Sequence, residues 1–528
     1  MIGAELLLQT ITRAGVDKIF TLSGNQIMPI YDAAIDFEID MIHCRHEASA
    51  VFMADGYAQT SDKIGVSLVT AAPGFTNSLG PLYAINSSQS PILLLSGDSP
   101  LNQDGMMPFQ ELQQINIANG LVKKSIKIEK AESIREEIDE AIKIAISGRP
   151  GPVHIALPFD ILNSEVKASN LINNNKIKEE KTLTMKDSEI LFSEIKKSIK
   201  PLIITGPSLS ESRNKLLYEQ INLHINIPII TMASPRGSKD PSQGRLNEIL
   251  QQTDLIIFID KDIDFTVGFG SKERLGAKKI IILADQDSTI KHSKRMLKER
   301  LSLSFKIDPF NGINSLLKLD YVCSKDWIKF VKKLRSDRPP LPQSKTNKLS
   351  PSRLCEIVIN ETISSNSLYF SDGGEFGQWA QSKIPFGRMF VNGLSGAIGG
   401  ATPQSIGASF ANPGLPIVSF MGDGTAGFQI AEWETARRYS LPIIYVIGND
   451  RRWGAEVEIQ IRDYGDERAK FCYLDETTRY DLVAKGLGCE GYFVETEIEL
   501  KSAIKKALLS KKTTVIDVVM EGFPAPSF

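Results

Sequence analysis

PIVSFMGDGTAGFQIAEWETARRYSLPIIYVIGND, residues 416–450, holds two apolar runs that each give out at a carboxylate. The first, Pro416 to Met421, passes into Gly422-Asp423-Gly424, and the second ends at Asn449-Asp450. Between them, the apolar and polar spacing of GTAGFQIAEWETARRYS predicts one amphipathic helix. A right-handed crossover returns the second strand parallel to the first. Asp423 and Asp450 are therefore expected at the same edge of one sheet, on neighbouring strands.

The same alternation runs outward through the chain. KIGVSLVTA, PILLLSGD and PVHIALP come first, then PLIITG, PIITMA, DLIIFID and KIIILAD, then LYFSDGG ahead of the opening stretch. Continuous apolar strands that end in Gly, Asp or Asn indicate parallel sheets covered on both faces. Two polar stretches, 163–182 and 335–350, read as linkers. The expected class is α/β, with three consecutive parallel-sheet domains at 1–165, 186–330 and 350–528. In such sheets ligands sit beyond the carboxyl ends of the strands.

Composition narrows the chemistry. The 528 residues carry 63 acidic and 61 basic side chains, so no global field recruits nucleic acid or a membrane surface. No apolar run approaches the roughly 20 residues of a membrane helix. The amino terminus, MIGAELLLQTITRAGVDKIF, reads as an amphipathic helix and a strand rather than a leader. The five cysteines are scattered and lack any C-x-x-C, as suits reduced thiols in a cytoplasmic protein. A small-molecule substrate is the expected partner.

Two converging strand-end carboxylates suit a hard cation such as Mg²⁺, whose octahedral oxygen shell is often completed by phosphate. Gly422 and Gly424 let backbone approach a phosphate, and the following helix start offers free N–H groups. A glycine-flanked aspartate also serves as a plain tight turn, and the second carboxylate is what argues for the metal.

These residues resemble the thiamine diphosphate (ThDP) enzymes of the acetolactate synthase type, which carry G-D-G and, one helix and one strand later, N-N. The resemblance implies metal ligands at Asp423, Asp450 and the carbonyl of Arg452. Asp450 stands where Asn is usual, an extra negative charge that should tighten the hold on Mg²⁺ yet repel the phosphates, which leaves the net effect on cofactor affinity open, with Arg451 and Arg452 nearby as candidates to offset it. MIHCRHEASAVFMADGYAQTS similarly resembles the family's R-H-E element, and implies that Glu47 activates the cofactor through its aminopyrimidine. On its residues alone, Glu47 could equally favour the positive end of a helix.

Other motifs extend the likeness. Pro73 and Asn77 fall in a P-G-x-T-N loop, Gln110 in F-Q-E, and Ile398 at the position of the apolar residue beneath the cofactor, where ordinary core packing is the alternative. Gly373, Gly374 and Thr425 join Glu47, Gly422, Asp423, Gly424 and Asp450 as expected cofactor contacts. Asn25, Gln26, Gln110, Trp453 and Ala455 are the expected substrate contacts, although the two amides could instead cap the next helix. Trp453 and Ala455 resemble the benzaldehyde lyase branch. The middle segment resembles oxalyl-CoA decarboxylases and 2-hydroxyacyl-CoA lyases, and its lack of a glycine- and histidine-rich stretch leaves FAD the less favoured cofactor beside ThDP and Mg²⁺.

The implied activity is a carbon–carbon lyase or carboligase acting on a 2-oxo acid or small aldehyde. No His-His pair of the kind used by simple decarboxylases occurs among the five histidines, which tilts the reading to carboligation. The family's sites form between subunits, so a homodimer is required and a homotetramer fits. The rival expectations are C–C cleavage of the acyl-CoA or benzaldehyde lyase type, and a ThDP-binding sensor or assembly subunit without turnover. A nucleotide-binding oxidoreductase is a further class, disfavoured because no G-x-G-x-x-G opens a helix in the middle segment.

Overall fold

The structure is a computed structural model that describes residues 1–167, 181–341, 346–391 and 393–527. Parts of both expected linkers, 168–180 and 342–345, lie outside the described residues. The opening helix and strand form as read, at Gly3–Arg13 and Lys18–Thr21.

Three all-parallel sheets follow one another along the chain. The first contains β1 (Lys18–Thr21), β2 (Asp40–His43), β3 (Gly65–Val69), β4 (Ile92–Asp98), β5 (Lys124–Lys127) and β6 (Val153–Pro158), in the order β2-β1-β3-β4-β6-β5. The second contains β7 (Pro201–Thr205), β8 (Ile229–Thr231), β9 (Leu255–Ile259), β10 (Lys279–Ala284) and β11 (Leu301–Lys306), in the order β11-β10-β9-β7-β8. The third contains β12 (Leu368–Ser371), β13 (Met389–Val391), β14 (Ile417–Gly422), β15 (Ile443–Asn449), β16 (Glu490–Val494) and β17 (Thr514–Val519), in the order β13-β12-β14-β15-β17-β16. First and third sheets thus share one strand order. Helices cover both faces, so the central strands β3, β4, β14 and β15 read as near-continuous apolar runs.

The first and third layers are joined by two small-residue helices, Glu47–Gln59 and Ala401–Ala411. A methyl group on Gly56 would collide with the Gln404 carbonyl, and one on Gly407 with the Met53 carbonyl. Backbone therefore meets backbone, and one core runs from Phe20, Met53 and Tyr57 into Ile406, Met421 and Trp433. Much of the alanine- and glycine-rich stretch after Glu47 serves this packing.

The second layer has its own core, which takes in Leu334 of the helix Lys325–Ser336. Its strand order reverses between β7 and β9, the crevice where open parallel sheets bind dinucleotides. Here two side chains of the first layer reach into that crevice, beside a cavity lined by Lys261, Asp262 and Gln286. Gln89 Oε1 accepts from Ser208 N (3.0 Å) and Ser208 Oγ (2.9 Å), and Gln89 Nε2 donates to the Asp260 carbonyl at 3.1 Å. Arg149 adds ion pairs to Asp260 at 2.8 Å and Asp262 at 2.7 Å.

The single helix expected across 424–440 is two short ones, Asp423–Ala426 and Glu432–Arg438. Tertiary contact overrides the local pattern in between. Phe428 packs against Gly399 and meets the Trp453 ring edge-on at 6.2 Å, while Gln429 accepts a hydrogen bond from Ser49 Oγ at 2.6 Å. All five cysteines are unpaired, four of them buried. No helix among the described residues is long and apolar enough to cross a membrane.

Candidate active site

Every residue singled out above lies at or beyond the carboxyl end of a strand in the first or third sheet, or on the short loop that follows. In the third sheet β14 and β15 pair with Gly422 opposite Gly448, so Asp423 and Asp450 emerge side by side, as expected. Both are buried. Burial, and then the neighbouring Asp450 charge, push the Asp423 carboxyl up to about 8, and burial also raises Asp450. Two acids held this close in a dry place call for a cation or a proton between them.

One cavity gathers this half of the site. Gly373, Gly374, Ile398, Gly422, Asp423, Gly424, Thr425, Asp450, Arg452, Trp453 and Ala455 line it, with Glu375, Met520 and Phe523. Gly374 has φ +85° and open space where a side chain would stand, at the start of the helix Gly374–Gln381. Free N–H groups and the positive helix end there form a cradle for an anion. A methyl group on Gly424 would lie 2.9 Å from the Trp453 indole, so its bareness also admits that ring.

The other half stands on the first sheet, outside this cavity. Glu47 is the first residue of its helix, but the cap is made by His46, whose Nδ1 accepts from Ala48 N at 3.1 Å. Glu47 is thereby released from helix capping. Its Oε2 accepts from Asn77 Nδ2 at 3.0 Å, in the short helix Pro73–Asn77. Gly74 lies against the other carboxylate oxygen. Gln26 is buried with Oε1 accepting from Thr70 Oγ1 at 2.8 Å, while Asn25 is exposed and its turn has no side-chain cap. Gln110 sits on a loop pinned by Glu111, which accepts from Gly105 N (2.6 Å) and Met107 N (3.0 Å). Its Oε1 is buried without a partner among the described residues.

Three of the non-glycine residues with positive φ lie on these loops: Ala72 (φ 44°) before Pro73, Gln110 (φ 63°), and Arg451 (φ 62°) after Asp450. Such strain concentrates where a structure must hold functional groups in place.

Comparison with known proteins agrees on both halves. Residues 1–117 match the thiamine pyrophosphate enzyme N-terminal TPP binding domain, and residues 372–518 the C-terminal TPP binding domain. The chain belongs to the thiamine pyrophosphate enzymes. Among its relatives, the acetolactate synthase large subunit of Lactococcus lactis is 26% identical over 552 residues, covering 98% of this chain and 94% of that protein. The 2-hydroxyacyl-CoA lyase 2 of Danio rerio is also 26% identical, over 561 residues, covering 96% and 89%. The ThDP-dependent 4-hydroxybenzoylformate decarboxylase of Rhodococcus jostii RHA1 shares the fold, with TM-score 0.82 at 20% identity, covering 99% of this chain and all of that one.

The residues present fit the family's cofactor. Two adjacent buried carboxylates answer to a divalent cation, and the glycine cradle answers to phosphate. No cluster of three or more His, Cys, Asp or Glu forms a metal cage among the described residues, so backbone and phosphate oxygens would complete the shell.

Several contributors to this thiamine pyrophosphate enzyme's site escape a reading of motifs. Asp372, buried and pushed up to about 6 by burial, accepts from Gly373 N (2.7 Å), Gly399 N (3.0 Å) and Ala401 N (3.1 Å), which fixes the turn carrying Ile398. Tyr480 OH donates to the Asp423 carbonyl at 2.9 Å. Asp517 takes Asn449 Nδ2 and Tyr480 N, both at 3.0 Å. Glu375 holds the carboxyl-terminal tail through Ala525 N and faces Arg236 at 3.5 Å. Asp372 precedes the Gly373-Gly374 pair, which was the only available signal for it.

Proposed function

We propose that this protein is a ThDP- and Mg²⁺-dependent carbon–carbon lyase or carboligase acting on a 2-oxo acid or small aldehyde. The observation that carries the reading is Glu47, freed from capping and aimed by Asn77, retained together with the paired acids Asp423 and Asp450. A protein that only sensed ThDP would need the diphosphate grip alone.

Asp423, Asp450 and the Arg452 carbonyl would hold Mg²⁺, and the start of the Gly374–Gln381 helix would receive the diphosphate. Bound there, ThDP supplies a carbon nucleophile and an electron sink for bonds next to a carbonyl. Glu47 would hold a proton at the far end of the cofactor, and Ile398, set by Asp372, would shape its seat. Trp453 and Ala455 wall the substrate space, and Gln26, Asn25 and Gln110 would orient its oxygens. Among the described residues no histidine lines the cavity, which favours joining carbonyl fragments over simple protonation and release.

The cavity is built from the third domain alone, so Glu47 would be supplied across a homodimer interface, with a homotetramer as the larger assembly. The exposed Met106, Met107 and Phe109 beside Gln110 suit burial there. Five unpaired thiols suit a cytoplasmic setting. Cleavage of a 2-hydroxyacyl-CoA is the second reading, favoured by the Danio rerio relative, whose identity equals that of the synthase.

Glu47→Gln is expected to keep ThDP binding, read by calorimetry, and to lower turnover at least ~100-fold. Turnover is read by mass spectrometry of products from 2-oxo acids, aldehydes and acyl-CoA thioesters. Undiminished turnover in this variant would refute the assignment.

A further inference from the structure

Asp450 is an acid where the resemblance implies asparagine, and a second residue engages it. Arg452 turns back so that its Nε donates to Asp450 Oδ2 at 2.8 Å. The far side of the guanidinium lies 3.1 Å from Glu458 Oε1, on the helix Gly454–Tyr464. The pair is withdrawn from water, with side-chain exposures of 12% for Arg452 and 9% for Asp450. The carboxyl-terminal tail closes over it at Gly522, where any side chain would collide with the guanidinium.

We infer that Arg452 is a positioning residue that occupies one oxygen of Asp450 and offsets part of its charge. One oxygen is left for the cation, so that Asp450 presents to a metal-bound diphosphate what a neutral amide presents elsewhere. A free carboxylate would offer a second oxygen and a full negative charge close to the phosphates, where in a site sheltered from water the repulsion is poorly screened. Glu458 holds the guanidinium from its other side, and Gly522 leaves it room. A planar, permanently charged fork suits this task better than a lysine would.

The inference rests on reading the cavity as a metal and diphosphate site. Its test is calorimetric titration of ThDP at saturating Mg²⁺ into the full chain, Arg452→Gln, and Asp450→Asn/Arg452→Gln. Thermal melting of each cofactor-free protein reports folding. Arg452→Gln is expected to bind at least about tenfold more weakly, and the double variant to recover to within about threefold of the unmodified chain, the scale of one charge-assisted hydrogen bond. A merely structural role for Arg452 would leave the double variant as weak as the single. That result, or Arg452→Gln binding as tightly as the unmodified chain, overturns the inference while leaving the cofactor assignment standing. Absence of binding by the unmodified chain removes both.

Discussion

Asp372 shows how one buried side chain sets a functional turn. Its carboxylate takes three backbone N–H groups from two separated stretches, and an amide in its place would turn an NH₂ group towards at least one of those donors. Asp372→Asn is expected to cost about 1–3 kcal/mol of stability, measured by denaturant unfolding, and to weaken ThDP binding through the displaced Ile398. His154 gives the fold a pH dependence. It lies fully buried between Ser96 Oγ and Ser125 Oγ, both at 2.8 Å, and burial lowers its pKa to about 3. The unfolded chain binds that proton near pH 6.5 and the folded chain does not, so stability is full above 6.5 and falls as pH drops towards 3. His154→Gln should flatten the pH dependence of unfolding in this window by up to ~1.4 kcal/mol per pH unit. An unchanged slope would show that the ring is not buried neutral.

At the scale of elements, the strands were legible because parallel strands covered on both faces leave a near-continuous apolar run. β14 and β15 fall where the opening stretch places them, and Asp423 and Asp450 emerge on neighbours. The broken helix after Asp423 was not legible, since Phe428 and Gln429 are drawn out by Trp453, Gly399 and Ser49, all distant in sequence. Gly424 was read as clearance for phosphate, and the ring that fills its missing side chain comes from the next crossover. Gly424→Ala should therefore push the Trp453 indole aside, seen as a change in tryptophan fluorescence, with a loss of about 1–3 kcal/mol from overpacking. Unaltered emission and stability would mean that the Trp453 ring does not occupy this space.

For the whole molecule, the shared strand order of the outer sheets explains why the two halves of the site use equivalent positions. Glu47 follows β2 as Ile398 follows β13, and the Pro73–Asn77 helix follows β3 as Asp423 follows β14. Sequence periodicity carries no record of sheet order, so this correspondence could be seen only in the fold. The middle domain is tied to the first by Gln89 and Arg149. Gln89→Ala is expected to lower the first calorimetric unfolding transition, by the ~1–3 kcal/mol of an unsatisfied buried partner, while leaving ThDP affinity unchanged.

The central claim is that the third domain grips a diphosphate through a cation held by Asp423 and Asp450. Its most direct test is calorimetric titration of ThDP into the full chain with Mg²⁺ present and with the metal removed by EDTA, beside Asp423→Ala. Saturable heat that appears only with Mg²⁺, and is lost in Asp423→Ala, is the expected result. Equal binding in EDTA, or no heat in any arm, would contradict the account.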